Sequence, residues 1–324
     1  MNELAFQLLL TLDATLRLAT PLVFCALAGL FSERSGIIDI SLEGKLLGSA
    51  FAAGAVAAVT GSVYLGLLAA VGVSICMSLV HGFACITHRG NQIISGLAVN
   101  ILASGLTVTL GIALFHRGGQ TPTLGAAERF QPIELPFAEA LAHVPLVGVI
   151  YEELVSGHKL LVYVAFIAVP LVALVLAKTR FGLRLRAVGE TPEAVDSAGV
   201  SVPWLRSRAI IVAGILCGIA GAYLSTAHGA GFIREMSAGK GYIALAAMIF
   251  GKWRPWAALF ACLLFGFLEA ASSRLIGIEF PIIGEAPTDL MLILPYLMTV
   301  VLLAGFFGRA EAPSALGTPY VKEH

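Results

Sequence analysis

The residues of this chain most able to act on another molecule are polar side chains set within long apolar runs. No HExxH or GxSxG motif is present, and the seven histidines are scattered singly. Neutral donors and acceptors in an apolar segment are suited instead to hydrogen-bonding a polar solute as it passes. The sequence therefore predicts a binding or transport path, with no catalytic residue, no metal site and no cofactor in this chain.

Two sets of such side chains carry this prediction. Gln92, Ser95 and Asn100 lie in a run without formal charge, so we predict that they line the path; hydrogen bonding between helices is the alternative. Asp39 and Glu43 are four residues apart, which predicts one helical face, and a carboxylate near the membrane needs a cavity or a partner. We place both on the path, with a solvated cytoplasmic boundary as the alternative. Further polar candidates are Ser104, Thr107, Thr109, Glu235, Glu269 and Asp289.

The elements that position these residues must be membrane-spanning helices. The chain has 324 residues, of which 58% are hydrophobic and 12% charged, and its mean hydropathy is +0.91. From Leu46 to His116 the only formally charged residue is Arg89. A transmembrane helix needs about 20 apolar residues, whereas no soluble core holds so long an uncharged run. A formal net charge of zero also argues against nucleic-acid binding.

The apolar runs predict an all-α polytopic membrane protein with about nine transmembrane helices (eight to ten) in a single domain, 1–324. The runs are 7–31, 45–60, 64–86, 92–115, 160–177, 207–227, 237–251, 256–273 and 289–307. Run 237–251 is short, and acids interrupt Ser32–Gly44 just before another short run. These two places predict broken helices, from which midplane transport sites are built.

Basic residues predict the orientation of the chain. They cluster at every second connection, and such connections face the cytoplasm. The amino terminus is then outside, the tail 309–324 is cytoplasmic, and the acidic loop 117–159 is external. Because the start of the chain lacks the basic region of a secretory signal, we expect a retained first span.

A charged island at 180–200 separates the two apolar halves and falls on the cytoplasmic side; we call it the coupling segment. Thr191 is suited to cap a helix, Pro192 to its first position and Gly199 to its end, so we predict a two-turn docking helix. The chain has no GxxxxGK[ST] loop, because Gly239-Lys240-Gly241 lacks the upstream glycine. Any energy from ATP must therefore come from another subunit.

Several blocks resemble the shorter permease subunit of nucleoside-type ATP-binding cassette (ABC) importers, in the superfamily of branched-chain amino acid, ribose and nucleoside permeases. The resemblance covers residues 14–320. Its blocks are 18–22 with 29–44, 92–100, 181–190 with 198–200, 239–253, 295–299 and 313–320. Asp39 stands where relatives often have Asn, and Lys45 where an apolar residue is common.

The resemblance implies a type II-like ABC importer permease fold in a bacterial inner membrane. The implied partners are a second, paralogous permease in a heterodimer, a cytoplasmic ATP-binding subunit and an external substrate-binding lipoprotein. The implied solute is a nucleoside, and a simple sugar such as ribose is the alternative solute. An ion-coupled secondary transporter is the alternative to an ABC importer. In that family the coupling segment would touch the ATPase, through Arg184, Arg186, Gly189, Glu190, Thr191, Pro192, Ala194, Ala198 and Gly199.

Overall fold

The computed structural model describes residues 3–136, 148, 151–275, 279–280, 284–285, 293, 297 and 311–322. The regular secondary structure in these ranges is helical, apart from a two-residue antiparallel pairing of β1 (Glu279–Phe280) with β2 (Gly284–Glu285). The main helices are α1 (Glu3–Arg34), α2 (Leu42–Thr60), α3 (Val63–Gly82), α4 (Gln92–Phe115), α5 (Leu160–Lys178), α6 (Arg180–Glu190), α7 (Pro192–Ser197), α8 (Val202–Ala222), α9 (Lys240–Phe250) and α10 (Pro255–Leu275).

Seven helices in the described part are long and apolar enough to cross a membrane: α1 to α5, α8 and α10. α3 and α8 each continue as a π-helix, over Phe83–Thr87 and Tyr223–His228. The short run predicted at 237–251 is α9, whose 11 residues extend only about 16 Å. The all-α membrane class is thus confirmed, and these helices account for eight of the nine predicted runs. The ninth, 289–307, lies outside the described residues except for Ile293 and Leu297.

The centre of the bundle is formed by α1, α2 and α8, whose spans are mostly buried, whereas α3 and α4 expose most of theirs. Helix α8 packs on α3 and α2, and α1 packs on α10, α8 and α9. Glycines permit the closest approaches: a Cβ on Gly44 would lie 2.7 Å from the Asn100 Cα, and one on Gly218 would lie 2.6 Å from the Val71 Cα. Helix α2 therefore touches α4 at Gly44, next to Asn100.

The predicted interruption before the second span is a buried irregular segment, 35–41, which we call the break. Helix α1 ends at Arg34 because Gly36 adopts a left-handed φ of 87°, and its amide donates to the Glu33 carbonyl. Since α2 begins only at Leu42, the prediction that Asp39 and Glu43 share a helical face is wrong. Asp39 lies in the break, and Glu43 lies in the first turn of α2.

The coupling segment contains two helices, α6 and α7, separated at Thr191. Pro192 is at the first position of α7 as predicted, and Gly199 has a left-handed φ of 77°. The predicted cap is wrong, because the Thr191 side chain makes no capping hydrogen bond. The threonine that caps is Thr179, whose Oγ1 accepts from the Gly182 amide at 3.1 Å and starts α6. Thr191 instead follows α6 directly, with its amide bonded to the Ala187 carbonyl.

Of the predicted external loop, residues 117–136, 148 and 151–159 are described. Its first part is folded against the segment that follows α8. The Leu124 amide donates to the Ala230 carbonyl, and the Phe130 amide donates to the Thr226 carbonyl. An isolated bridge joins Pro132 to Lys159. These contacts attach the described part of the loop to the end of the bundle opposite the coupling segment.

Candidate functional site

The two predicted broken helices meet at the middle of α4, on the side chain of Asn100. Its Oδ1 accepts from the Gly44 amide at 2.8 Å, and its Nδ2 donates to the Ile40 carbonyl at 3.0 Å. The same Nδ2 lies 2.8 Å from the hydroxyl of Tyr242 on α9. One amide therefore joins the break, the start of α2 and the short helix α9.

Glu43 makes a second connection between the two broken helices. Its two carboxylate oxygens accept from the amides of Gly239 and Gly241, at 2.9 and 2.7 Å. These amides lie at the amino terminus of α9, where unpaired N–H groups and the helix dipole favour a negative charge. Glu43 thus fixes the start of α9 against the first turn of α2.

Asp39 forms a fully buried ion pair with Lys45. The Lys45 Nζ lies 2.6 and 2.9 Å from the two carboxylate oxygens, and neither side chain has any exposed surface. The Ser41 hydroxyl also donates to Asp39. Burial opposes the charged form of the carboxyl, but Lys45 and then His81 together hold the pKa of Asp39 below its ordinary value. Asp39 is therefore occupied within the chain and does not face an open path.

Gln92 and Ser95 hold the break in place from its other side. The Gln92 Oε1 accepts from the Ile38 amide at 2.7 Å. The Ser95 hydroxyl lies 3.0 Å from one ring nitrogen of His81, whose other nitrogen lies 3.1 Å from the Ile38 carbonyl. Of the five residues predicted for the path, Asp39 lies in the break and Glu43 directly follows it in α2. Gln92 and Asn100 bond the break itself, and Ser95 reaches it through His81. Asn100 is the one among the five that also reaches Tyr242.

Four polar side chains form a patch on the outward side of α4 and α9, which we call the polar surface: Asn100, Ser104, Glu235 and Tyr242. The Ser104 hydroxyl donates to the Glu235 carboxylate at 2.5 Å, and Tyr242 is 44% exposed. Asn100 and Ser104 lie about 12 and 18 Å along α4, a helix of 24 residues or about 36 Å. The polar surface is thus near the middle of the span, where polar groups are costly unless they face a cavity or a partner.

Sequence reasoning selected Asn100, Ser104 and Glu235 as polar candidates but missed Tyr242. The signal was a hydroxyl-bearing aromatic in the first turn of the short run 237–251. Of the other candidates, Glu269 accepts from Lys240 at 2.5 Å, and Asp289 lies outside the described residues. Within the described part of the chain, no group of three or more His, Cys, Asp or Glu side chains could hold a metal ion.

The predicted coupling residues divide into an outward and an inward set. Gly189 and Pro192 are buried, and Arg186 is half-buried. The exposed set consists of Arg184, Glu190, Thr191, Ala194, Ala198 and Gly199. The exposed set lies at the end of the molecule that carries Arg34, against which Gly189 packs.

Comparisons with known proteins show the family to which the chain belongs. The model of a family described as branched-chain amino acid transport system, permease component, matches residues 11–303. The guanosine ABC transporter permease protein NupQ of Bacillus subtilis is 37% identical over 95% of both chains. The nucleoside ABC transporter permease protein NupC of Lactococcus lactis subsp. cremoris is 36% identical over 94% of both. TsgC13 of Haloferax volcanii, provisionally named a glucose ABC transporter permease protein, is 34% identical over 96% of this chain and 97% of its own.

Proposed function

This chain belongs to the permease-component family of branched-chain amino acid transport systems, and from that premise we propose that it forms half of the path by which an ABC importer moves a nucleoside. The family is a transport component rather than an enzyme. Two relatives that align with nearly the whole chain are named for guanosine and for nucleosides. Their similarity supports a nucleoside as the transported solute, and a multi-pass subunit of the bacterial inner membrane as the place of this chain.

The observation that carries the solute class is the composition of the polar surface. A half-exposed tyrosine ring offers a face on which a base can stack, and base–aromatic stacking contributes about 1–3 kcal/mol per base. The Glu235 carboxylate accepts hydrogen bonds from N–H groups on a base edge or from ribose hydroxyls, and the Tyr242 hydroxyl, which accepts from Asn100, is left to donate to the solute. A simple sugar would use the hydroxyl contacts and could lay only the C–H groups of its puckered ring on the tyrosine, whereas a planar base stacks over the whole face. The polar surface therefore favours a nucleoside over glucose or ribose.

The proposed partners follow from what this chain leaves open. The polar surface is partly exposed on the outward side of α4, where Asn100 and Ser104 are half-buried, so a second, paralogous permease is needed to enclose a path. The exposed set of coupling residues would bind a cytoplasmic ATP-binding subunit, since the sequence has no phosphate-binding loop of its own. An external lipoprotein would deliver the solute at the end of the bundle that carries the loop 117–159.

Transport by the reconstituted assembly tests the function directly. We expect vesicles that contain both permeases and the ATPase to accumulate radiolabelled guanosine only when the lipoprotein and ATP are present. Unlabelled adenosine or uridine should compete, whereas ribose and glucose in equal excess should not. Competition by glucose alone would assign the path to a sugar, and uptake driven by a proton or sodium gradient without ATP would contradict an ABC importer.

Replacing Tyr242 with alanine should raise the KM for guanosine about tenfold, since losing stacking worth about 1–3 kcal/mol weakens binding by that order. The Tyr242→Phe variant keeps the ring and should have a smaller effect. Phe83→Ala is the matched control, because it also removes a ring that is mostly exposed, 60%, away from the polar surface. Equal KM values for Tyr242→Ala and Phe83→Ala would show that solute does not contact the polar surface.

A further inference from the structure

The described part of the tail, 311–322, is attached to the coupling segment. The Ala315 amide donates to the Gly189 carbonyl at 2.9 Å, and the Ser314 hydroxyl donates to the Glu190 carboxylate at 2.8 Å. Ala315 is only 6% exposed. A Cβ on Gly189 would lie 3.0 Å from the carbonyl carbon of Arg34 and 3.4 Å from Pro313. The last turn of α6 is therefore held between the tail and the end of α1.

The tail is also attached to the break. The Gly317 amide donates to the Gly36 carbonyl at 3.0 Å. Arg206, which is on α8 and only 2% exposed, donates to the Ser35 carbonyl at 3.0 Å and to the Thr318 carbonyl at 3.2 Å. A buried guanidinium with both acceptors on main-chain atoms specifies the position of the two segments relative to each other.

Contacts continue from the tail to the polar surface. Gly317 has a left-handed φ of 79°, and a Cβ there would lie 2.9 Å from the Ile38 Cδ1. The main chain of Ile38 is bound by Gln92 and His81, and two residues later the Ile40 carbonyl is bound by Asn100. The tail, the break and the middle of α4 thus form one contiguous packed and hydrogen-bonded unit.

We propose that the tail is a positioning element that holds the coupling segment and the break together, so that movement of α6 and α7 reaches Asn100. This inference rests on the proposed function, because it concerns how ATP hydrolysis and solute movement stay coupled. A contiguous network can carry such coupling when both ends bias one element, here the break. The tail has this role because it contacts the coupling segment at one end and Ile38 at the other.

The test is the ratio of ATP hydrolysed to guanosine imported by the complete assembly in vesicles. In Gly317→Ala the new methyl group displaces Ile38, and we expect the ratio to rise at least about fivefold, the lower range of measured coupling between sites. Gly61→Ala is the matched control: Gly61 has a similar φ of 70°, but a Cβ there meets no atom within 4 Å. Its ratio should stay at the wild-type value.

A second substitution separates positioning from general damage. Shortening the contacted side chain in Gly317→Ala/Ile38→Ala makes room for the methyl group and leaves the main-chain bonds of Ile38 intact, so the ratio should return to within about twofold of wild type. Ser314→Ala removes one side-chain hydrogen bond at an exposed residue and strains no backbone. It should therefore raise the ratio less than Gly317→Ala does.

The outcomes distinguish this inference from the proposed function. Wild-type vesicles that fail to import guanosine would count against the nucleoside assignment. The role of the tail would be overturned if wild-type vesicles import guanosine normally and the ratios of Gly317→Ala and Ser314→Ala equal that of Gly61→Ala. A parallel fall of ATP hydrolysis and uptake at constant ratio would also overturn it, since that result indicates a structural role only.

Discussion

Replacing Lys45 with methionine is expected to lower the free energy of unfolding by about 3–5 kcal/mol, because it leaves the Asp39 carboxylate buried without its partner. Neither side chain of this pair is exposed, so water cannot compensate for the lost charge. The measurement is the unfolding of the purified protein by dodecyl sulfate, followed by helical circular dichroism. Lys322→Met is the control: its pair with Asp196 is long, at 3.8 Å, and Lys322 is 67% exposed, so its loss should cost no more than about 1 kcal/mol.

The double variant Asp39→Asn/Lys45→Leu should recover most of the lost stability, since removing both charges together is often nearly neutral. Asparagine also keeps an acceptor for the Ser41 hydroxyl, which bonds Asp39 in the native chain. The two residues that the sequence analysis singled out as unusual for the resembled family form one ion pair in the structure. A double variant as unstable as Lys45→Met would contradict the assignment of the lost stability to the unpaired Asp39 carboxylate.

Replacing Ala194 with glutamate is expected to reduce ATP-driven uptake by at least about tenfold, while the permease stays folded. Ala194 is exposed on α7 and its neighbour Glu193 is already acidic, so the substitution adds like charge to the proposed ATPase-binding surface. An unmatched charge at an interface costs several kcal/mol, and each 1.4 kcal/mol is about tenfold in affinity. Uptake by reconstituted vesicles and co-purification of the ATPase measure the effect.

The control for this prediction is the same substitution at Ala127, which is exposed on the loop 117–159 at the other end of the bundle. Ala127→Glu should co-purify with the ATPase as the wild type does, and Ala198→Glu should behave like Ala194→Glu, because Ala198 is also exposed beside α7. Normal uptake and normal co-purification of the ATPase by both coupling-segment variants would move the ATPase contact elsewhere.

The helices that cross the membrane could be read from the sequence, because the bilayer requires about 20 consecutive apolar residues and the chain satisfies this locally. The short helix α9 and the interruption before α2 were also recognisable, the first by its length and the second by acids among apolar residues. The coupling segment was recognisable because its charged residues separate two apolar halves of the chain. The turn at Gly36 that ends α1 was not recognised, and so Asp39 was assigned to the wrong element.

Only the tertiary structure decided which polar residues are occupied within the chain and which face outward. Asp39 and Lys45 are close in sequence, but their pairing depends on a buried, irregular backbone that periodicity does not describe. The contact of Asn100 with Tyr242 joins residues 142 positions apart. Helical spacing in the sequence specifies which side chains share one face of a helix. Which other helix packs on that face depends on how closely whole helices approach, as α2 approaches α4 where Gly44 meets Asn100.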